Sequence, residues 1–192
     1  MLYKSILAII PARKGSKRLP NKNIMKINNK TLVEYAIESA LDSKYIDDIV
    51  VSTDYNEIKP IINKYRDSCC RIFYHRRPKH LRDNDISTQD VVDDVIHHYK
   101  NNYAGYVVLQ PTSPLRTSND IDKGIEIYLS NNYNSVISVV ETSLGKYKNN
   151  GAVFVFKDKM FPNEKYLYTM SNDKSVDIDT QEDFNIAKEL MR

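Results

Sequence analysis

The chain reads as an α/β protein with a doubly wound, mainly parallel sheet and helices on both faces. Two observations carry that reading. Short apolar runs of strand length alternate with amphipathic segments of helix length along all 192 residues. The segments richest in polar chemistry fall at or just after the ends of those apolar runs. Strands that alternate with helices build βαβ units whose sheet is buried on both faces. Ligands of such sheets gather beyond the carboxyl ends of the strands.

The elements follow in order. Residues 6–10, ILAII, form a buried strand. Thr31-x-x-Glu34 is a capping box opening a helix with Leu32, Tyr35, Ala36, Ala40 and Leu41 on one stripe. Residues 48–53 are the second strand, with Ile49, Val50 and Val51 as its apolar run. Residues 56–65 form a helix bearing Ile58, Ile61, Ile62 and Tyr65, with Pro60 tightening its first turn. Residues 71–75 are a third strand, Ser87 caps a helix reaching about Lys100, and residues 106–109 are a fourth strand. Ser118 starts a helix over 118–129. Strands follow over 136–140 and 152–156, then an irregular stretch. Thr180-x-x-Asp183 opens a last helix ending at Met191. No repeat or linker interrupts this pattern, so residues 1–192 form one domain of ordinary size.

Composition narrows the function. A 41% apolar content is globular, and a net charge of +3 agrees with anionic substrates without predicting them. The N-terminal apolar run is too short for a signal segment or a membrane span. Cys69 and Cys70 are neighbours that do not bridge, which predicts a reduced, cytoplasmic protein with no zinc site. Dispersed aromatics and no basic stripe argue against nucleic-acid binding. No nucleophile elbow supports a serine hydrolase.

The loop after the first strand carries the most chemistry. Arg13, Lys14, Lys17, Arg18 and Lys22 cluster around Gly15 and Ser16. Converging amides, guanidinium forks and an ammonium are what a triphosphate needs. The spacing is neither a P-loop nor G-x-G-x-x-G. Arg13 offers a bidentate fork just after a rigid strand and Lys22 a mobile point charge; Lys17 and Arg18 are as readily solvated as functional. Asp177 and Asp179 alternate in an extended segment, so they share a side while Val176 and Ile178 face the core. Against a triphosphate they make an Mg²⁺ site; the alternative is a pair of turn acids before the last helix. Gln110, before Pro111-Thr112-Ser113-Pro114, places a neutral amide on a rigid turn, able to read a hydroxyl or carboxylate or to brace the turn. Arg116 either pairs with a sugar acid or is exposed. His97 and His98 read as surface or packing residues.

The segment Ala12-Arg13-Lys14-Gly15-Ser16-Lys17-Arg18-Leu19-Pro20-Asn21-Lys22-Asn23 resembles the signature of the acylneuraminate cytidylyltransferases, the CMP-sialic acid synthetases. Val51-Ser52-Thr53-Asp54, Leu109 to Arg116 and Ser175 to Thr180 agree with it in order. The resemblance implies a nucleotide-diphospho-sugar transferase fold that moves CMP from CTP to the anomeric hydroxyl of an acidic nonulosonic sugar. It implies CTP contacts from Ala12, Arg13, Ser16, Lys22, Asn23, Arg77 and Thr88, with Arg13, Lys22, Asp177 and Asp179 catalytic and Mg²⁺ on the two aspartates. Sugar contacts are implied for Gln110, Arg116 and Lys148, the last beside Asn149-Asn150-Gly151 where the family often has Arg-Pro-Asn-Gly. Lys14 stands where the family usually has a small residue. Between the strand ending at Val140 and Gly151 the family carries an arm that packs on a second subunit. Its absence here implies a short form that is a monomer or weak homodimer. Other readings remain: a Kdo-like acceptor, or a catalytically weak nucleotide- or sugar-binding protein of the same fold.

Overall fold

The computed structural model describes residues 5–83, 85–99, 103–131 and 133–192. Strand β1 (Ile6–Pro11) runs through the basic loop and a 3-10 turn into a ribbon of β2 (Lys26–Ile27) and β3 (Lys30–Thr31). Then come α1 (Leu32–Leu41), β4 (Ile46–Thr53), α2 (Ile58–Arg66), β5 (Ile72–Arg76), α3 (Thr88–His98) and β6 (Gly105–Val108). The chain closes with α4 (Ser118–Asn131), β7 (Ser135–Glu141), β8 (Tyr147–Phe156), β9 (Tyr166–Thr169) and α5 (Gln181–Leu190). The expected helix end at Lys100 lies outside the described residues, as do residues 1–4 of the N-terminal apolar run.

Seven strands form one sheet in the order β5-β4-β1-β6-β8-β7-β9. Only β8 runs antiparallel to its neighbours, so the sheet is mainly parallel. β1 is an interior strand between β4 and β6, covered by helices on both sides, and is apolar on both faces for that reason. Ile6, Ala8 and Ile10 pack with α1, α2 and α4, while Leu7 and Ile9 pack with α3. The doubly wound architecture is as expected. Among the described residues, no helix is long and apolar enough to cross a membrane.

Four features differ from the sequence reading. Asn28 and Asn29, with φ of 48° and 67°, turn the β2–β3 ribbon, a primed turn that Asn-Asn favours. β9 occupies the stretch expected to be irregular, and β8 starts at Tyr147 rather than at Ala152. Residues 141–150 are therefore mostly the end of a β7–β8 hairpin. Its turn is closed by Thr142 N–H, which donates to Lys146 O at 2.8 Å, and the chain reverses at Gly145 with φ +68°. Finally, α5 leaves the sheet and packs Phe184 and Ala187 on Leu19, Ile27, Leu32 and Ile178. That small core ties the basic loop to the segment carrying Asp177 and Asp179.

Candidate active site

At the carboxyl ends of β1, β4, β5 and β6 lies a cavity of about 560 Å³ whose walls include Arg13, Ser16, Lys22, Asn23, Arg77, Thr88, Gln110, Asp177 and Asp179. The basic loop is shaped by its neighbours. Ala12 N–H reaches Ser52 O at 2.9 Å, Lys14 N–H reaches Asp54 Oδ1 at 2.8 Å, and Asn23 Nδ2 donates to Arg13 O at 2.9 Å. Gly15, at φ +85°, makes the reversal that a side chain would strain. Tyr55 Oη holds Asn21 Oδ1 at 2.6 Å, and its ring lies under Lys14 Nζ. Asp54 thus anchors the loop through Lys14. Ala12, by contrast, is fully buried and stands behind the cavity wall.

The aspartate segment is fixed by Ile178 N–H to Thr112 O, 2.8 Å, and by Asp183 Oδ2, which accepts from the N–H groups of Asp179 and Thr180. Asp179 pairs with Arg18 at 2.7 Å and Lys22 at 2.9 Å, and Lys22 also donates to Ile178 O. Asp177 is exposed toward the cavity, with protein crowded around its carboxyl. Desolvation pushes its carboxyl above the usual range and Asp179 adds to this, while a hydrogen bond with Thr112 and the Lys22 charge oppose it. Among the described residues no three or more Asp, Glu, His or Cys side chains are placed together to hold a metal ion. Two carboxylates facing one cavity fit Mg²⁺, a hard ion that takes oxygen ligands and keeps positions for phosphate and water.

Arg77 is buried in the opposite wall. Its Nη2 donates to Ser52 O at 3.1 Å, and burial lowers the guanidinium to about 10, with Asp54 opposing and Arg13 reinforcing the shift. Its Nε is buried with no hydrogen-bond acceptor. Thr88 lies in the first turn of α3, whose N-terminus opens on the cavity and favours negative charge there. Gln110 follows β6 and faces the cavity from the turn that Ser113 N–H closes on Gln110 O at 3.3 Å. Arg116 corrects the expectation of a sugar contact. It is buried away from the cavity, where Nη1 donates to Gln110 O and Ala152 O, 3.1 and 2.9 Å, and burial lowers it to about 9. It braces the turn instead. Lys148 is exposed on β8, paired with Val140, and outside the cavity wall. His98 packs against His75 at 5.4 Å between ring centroids, as a packing residue would.

A family model described as cytidylyltransferase matches residues 7–191. The chain belongs to the cytidylyltransferase family. It is 29% identical to the N-acylneuraminate cytidylyltransferase of Escherichia coli over 95% of this chain and 51% of that protein. The chain therefore spans about half the length of the first curated relatives it matches. It is 30% identical to the CMP-N,N'-diacetyllegionaminic acid synthase of Legionella pneumophila over 97% of this chain and 96% of that one. The solved CMP:2-keto-3-deoxy-manno-octonic acid synthetase complexed with CTP superposes with a TM-score of 0.77 over 98% of both chains, at 15% identity. That last likeness establishes the nucleotide-diphospho-sugar transferase fold.

In this member of the cytidylyltransferase family the cavity has cations at Arg13 and Lys22, the latter paired with the acidic edge of Asp177 and Asp179, and a neutral amide at Gln110. Such an arrangement can hold a triphosphate, share a cation with it and offer a polar seat to an acceptor. Sequence reasoning missed Asp85 in the wall, Thr112 and Asp183 beneath the aspartates, and Asn150 and Gly151 beside Gln110. Thr180-x-x-Asp183 pointed to Asp183 as a helix cap. Its second bond, to the Asp179 amide, had no signal in the sequence.

Proposed function

We propose that this chain transfers the cytidylyl group of CTP to the anomeric hydroxyl of an acidic nonulosonic sugar. The hydroxyl oxygen attacks the α-phosphorus in line, the bond from that phosphorus to the β-phosphate oxygen breaks, and pyrophosphate leaves. The hydroxyl proton is lost to a base or to water. The observation that carries this reading is the convergence of Arg13, Lys22, Asp177, Asp179 and Gln110 on one cavity. The similar proteins named for N-acylneuraminate and diacetyllegionaminic acid support an acceptor of that class.

Arg13 and Lys22 hold the departing phosphates, as charge-assisted donors do best. Ser16, Asn23, Arg77 and Thr88 line the nucleotide side, and Gln110 orients the acceptor without adding repulsion near the phosphates. Asp177 and Asp179 hold Mg²⁺, which when bound neutralises phosphate charge. The free Cys69 and Cys70 suit a reducing cytoplasm. The short β7–β8 turn supports a monomer or a weakly associated dimer with an open acceptor side. The test is CTP-dependent pyrophosphate release over a panel of acidic sugars, with and without Mg²⁺. Release with a nonulosonic acid and Mg²⁺ is expected. No release with any acid in the panel would overturn the reading.

A further inference from the structure

β8 is irregular beside the cavity. Ile137 pairs with Phe154 but Val139 pairs with Asn149, so residues 150–153 stand opposite Ser138 alone. Bulges of this kind re-aim side chains next to sites. Gly151 sits there at φ +73°. A Cβ on it would lie 2.8 Å from Gln110 Oε1 and 3.2 Å from Asp177 Oδ2. The acceptor-side amide and one metal-side carboxylate therefore meet over a bare α-carbon, and glycine is the residue that leaves that space.

Asn150 is 2% exposed and uses both ends of its amide. Oδ1 accepts from Ser138 Oγ at 2.6 Å and from Ala152 N–H at 3.2 Å. Nδ2 donates to Ser175 Oγ at 3.0 Å, just before Asp177 in sequence. Its carbonyl accepts from Ser113 Oγ at 3.4 Å, on the turn that carries Gln110. Ser138 Oγ in turn accepts from Val153 N–H at 2.7 Å. One buried residue thus joins β7, β8 and the aspartate segment through its side chain and the Gln110 turn through its backbone carbonyl. Satisfied buried networks fix geometry, because leaving a member unpaired is costly.

We propose that Asn150 and Gly151 are positioning residues that set Gln110 and Asp177 relative to each other, Gly151 by the absence of a Cβ and Asn150 through Ser175. The inference rests on the cytidylyl-transfer reading of the cavity. Groups supporting a metal or reacting site change affinity or rate about 10–100-fold when lost. Displacing a side chain by about 1 Å has effects of similar size.

The test uses the full chain with Gly151→Ala, Ser175→Ala and Ser175→Thr. Three quantities are measured: acceptor KM against kcat, Mn²⁺ binding in the presence of CTP by electron paramagnetic resonance, and metal-free CTP affinity by calorimetry. Gly151→Ala is expected to raise the acceptor KM and weaken Mn²⁺ binding, each about tenfold, with metal-free CTP affinity unchanged. Ser175→Ala is expected to weaken Mn²⁺ binding and Ser175→Thr, which keeps the hydroxyl, to restore it. Wild-type KM and Mn²⁺ affinity in folded Gly151→Ala and Ser175→Ala overturn the proposal. So does a loss of metal-free CTP affinity equal to the other losses, which marks general damage. If the wild-type chain releases no pyrophosphate with any sugar, the transfer reading fails, and the Mn²⁺ measurement alone then decides the positioning.

Discussion

Asp177 and Asp179 show how one extended segment places like groups in unlike settings. Asp179 is half-exposed between Arg18 and Lys22, whereas Asp177 opens on the cavity, where the surrounding protein partly desolvates its carboxyl and raises it. A group raised above its unfolded value of 3.8 favours the fold fully below that pH, and this contribution is lost as pH rises through the folded value. At neutral pH the ionised Asp177 is thus a cost in the metal-free protein. Asp177→Asn should raise the metal-free melting temperature at pH 7 only slightly, because solvent at the exposed carboxyl screens the effect, with the gain shrinking toward pH 4. A lower melting temperature at pH 7 would contradict the desolvation argument. Under the proposed chemistry, Asp179→Ala should cut Mg²⁺-dependent turnover about a hundredfold or more while circular dichroism stays native; near-normal turnover would remove the metal role. Arg13→Ala should weaken CTP binding by about 1.5–3 kcal/mol, read by calorimetry, and unchanged affinity would remove the loop from the nucleotide site. The loop and the aspartates were legible because their charges are patterned locally, one set crowded after a strand and the other alternating. Arg116 was not, since a guanidinium at a helix start looks the same in sequence whether it is solvated or buried under Ala152 O.

Elements were legible where their ends are written in nearby side chains. The capping boxes of Thr31 with Glu34, Ser87 with Asp90 and Thr180 with Asp183 open α1, α3 and α5. Thr117 with Asp120 does the same for α4, with Thr117 Oγ1 to Asp120 Oδ2 at 2.6 Å. Thr180→Ala should cost about 1 kcal/mol in urea denaturation, and an unchanged midpoint would show the α5 cap to be dispensable. The β2–β3 ribbon carries a local turn signal in Asn28-Asn29 that the sequence reading passed over. β9 and the early start of β8 carry no such signal, because they depend on long-range pairing with β7 rather than on their own alternation. The bulge at Asn150 and Gly151 belongs to the same class. Its hydrogen bonds reach Ser113, Ser138 and Ser175, partners that no local pattern names.

For the whole molecule, the sheet order decides where chemistry collects. Placing β1 between β4 and β6 brings the basic loop, Asp54 and the Gln110 turn to one edge, and α5 folds the aspartate segment over them. The β7–β8 hairpin ends in a tight turn at Thr142 and Gly145, the stretch where the sequence resemblance leads one to look for an arm. Sedimentation at micromolar concentration should therefore report a monomer or a partly dissociated dimer; a tight, fully populated dimer would show that another surface does the arm's work. The central claim is that this cavity joins a cytidylyl group to an acidic acceptor. Phosphorus NMR of the protein with CTP, Mg²⁺ and a nonulosonic acid tests it most directly. The account predicts a new phosphodiester signal for CMP linked to the sugar, growing in step with pyrophosphate. CTP left intact, or converted only to nucleotide and phosphate with no sugar adduct, would contradict it.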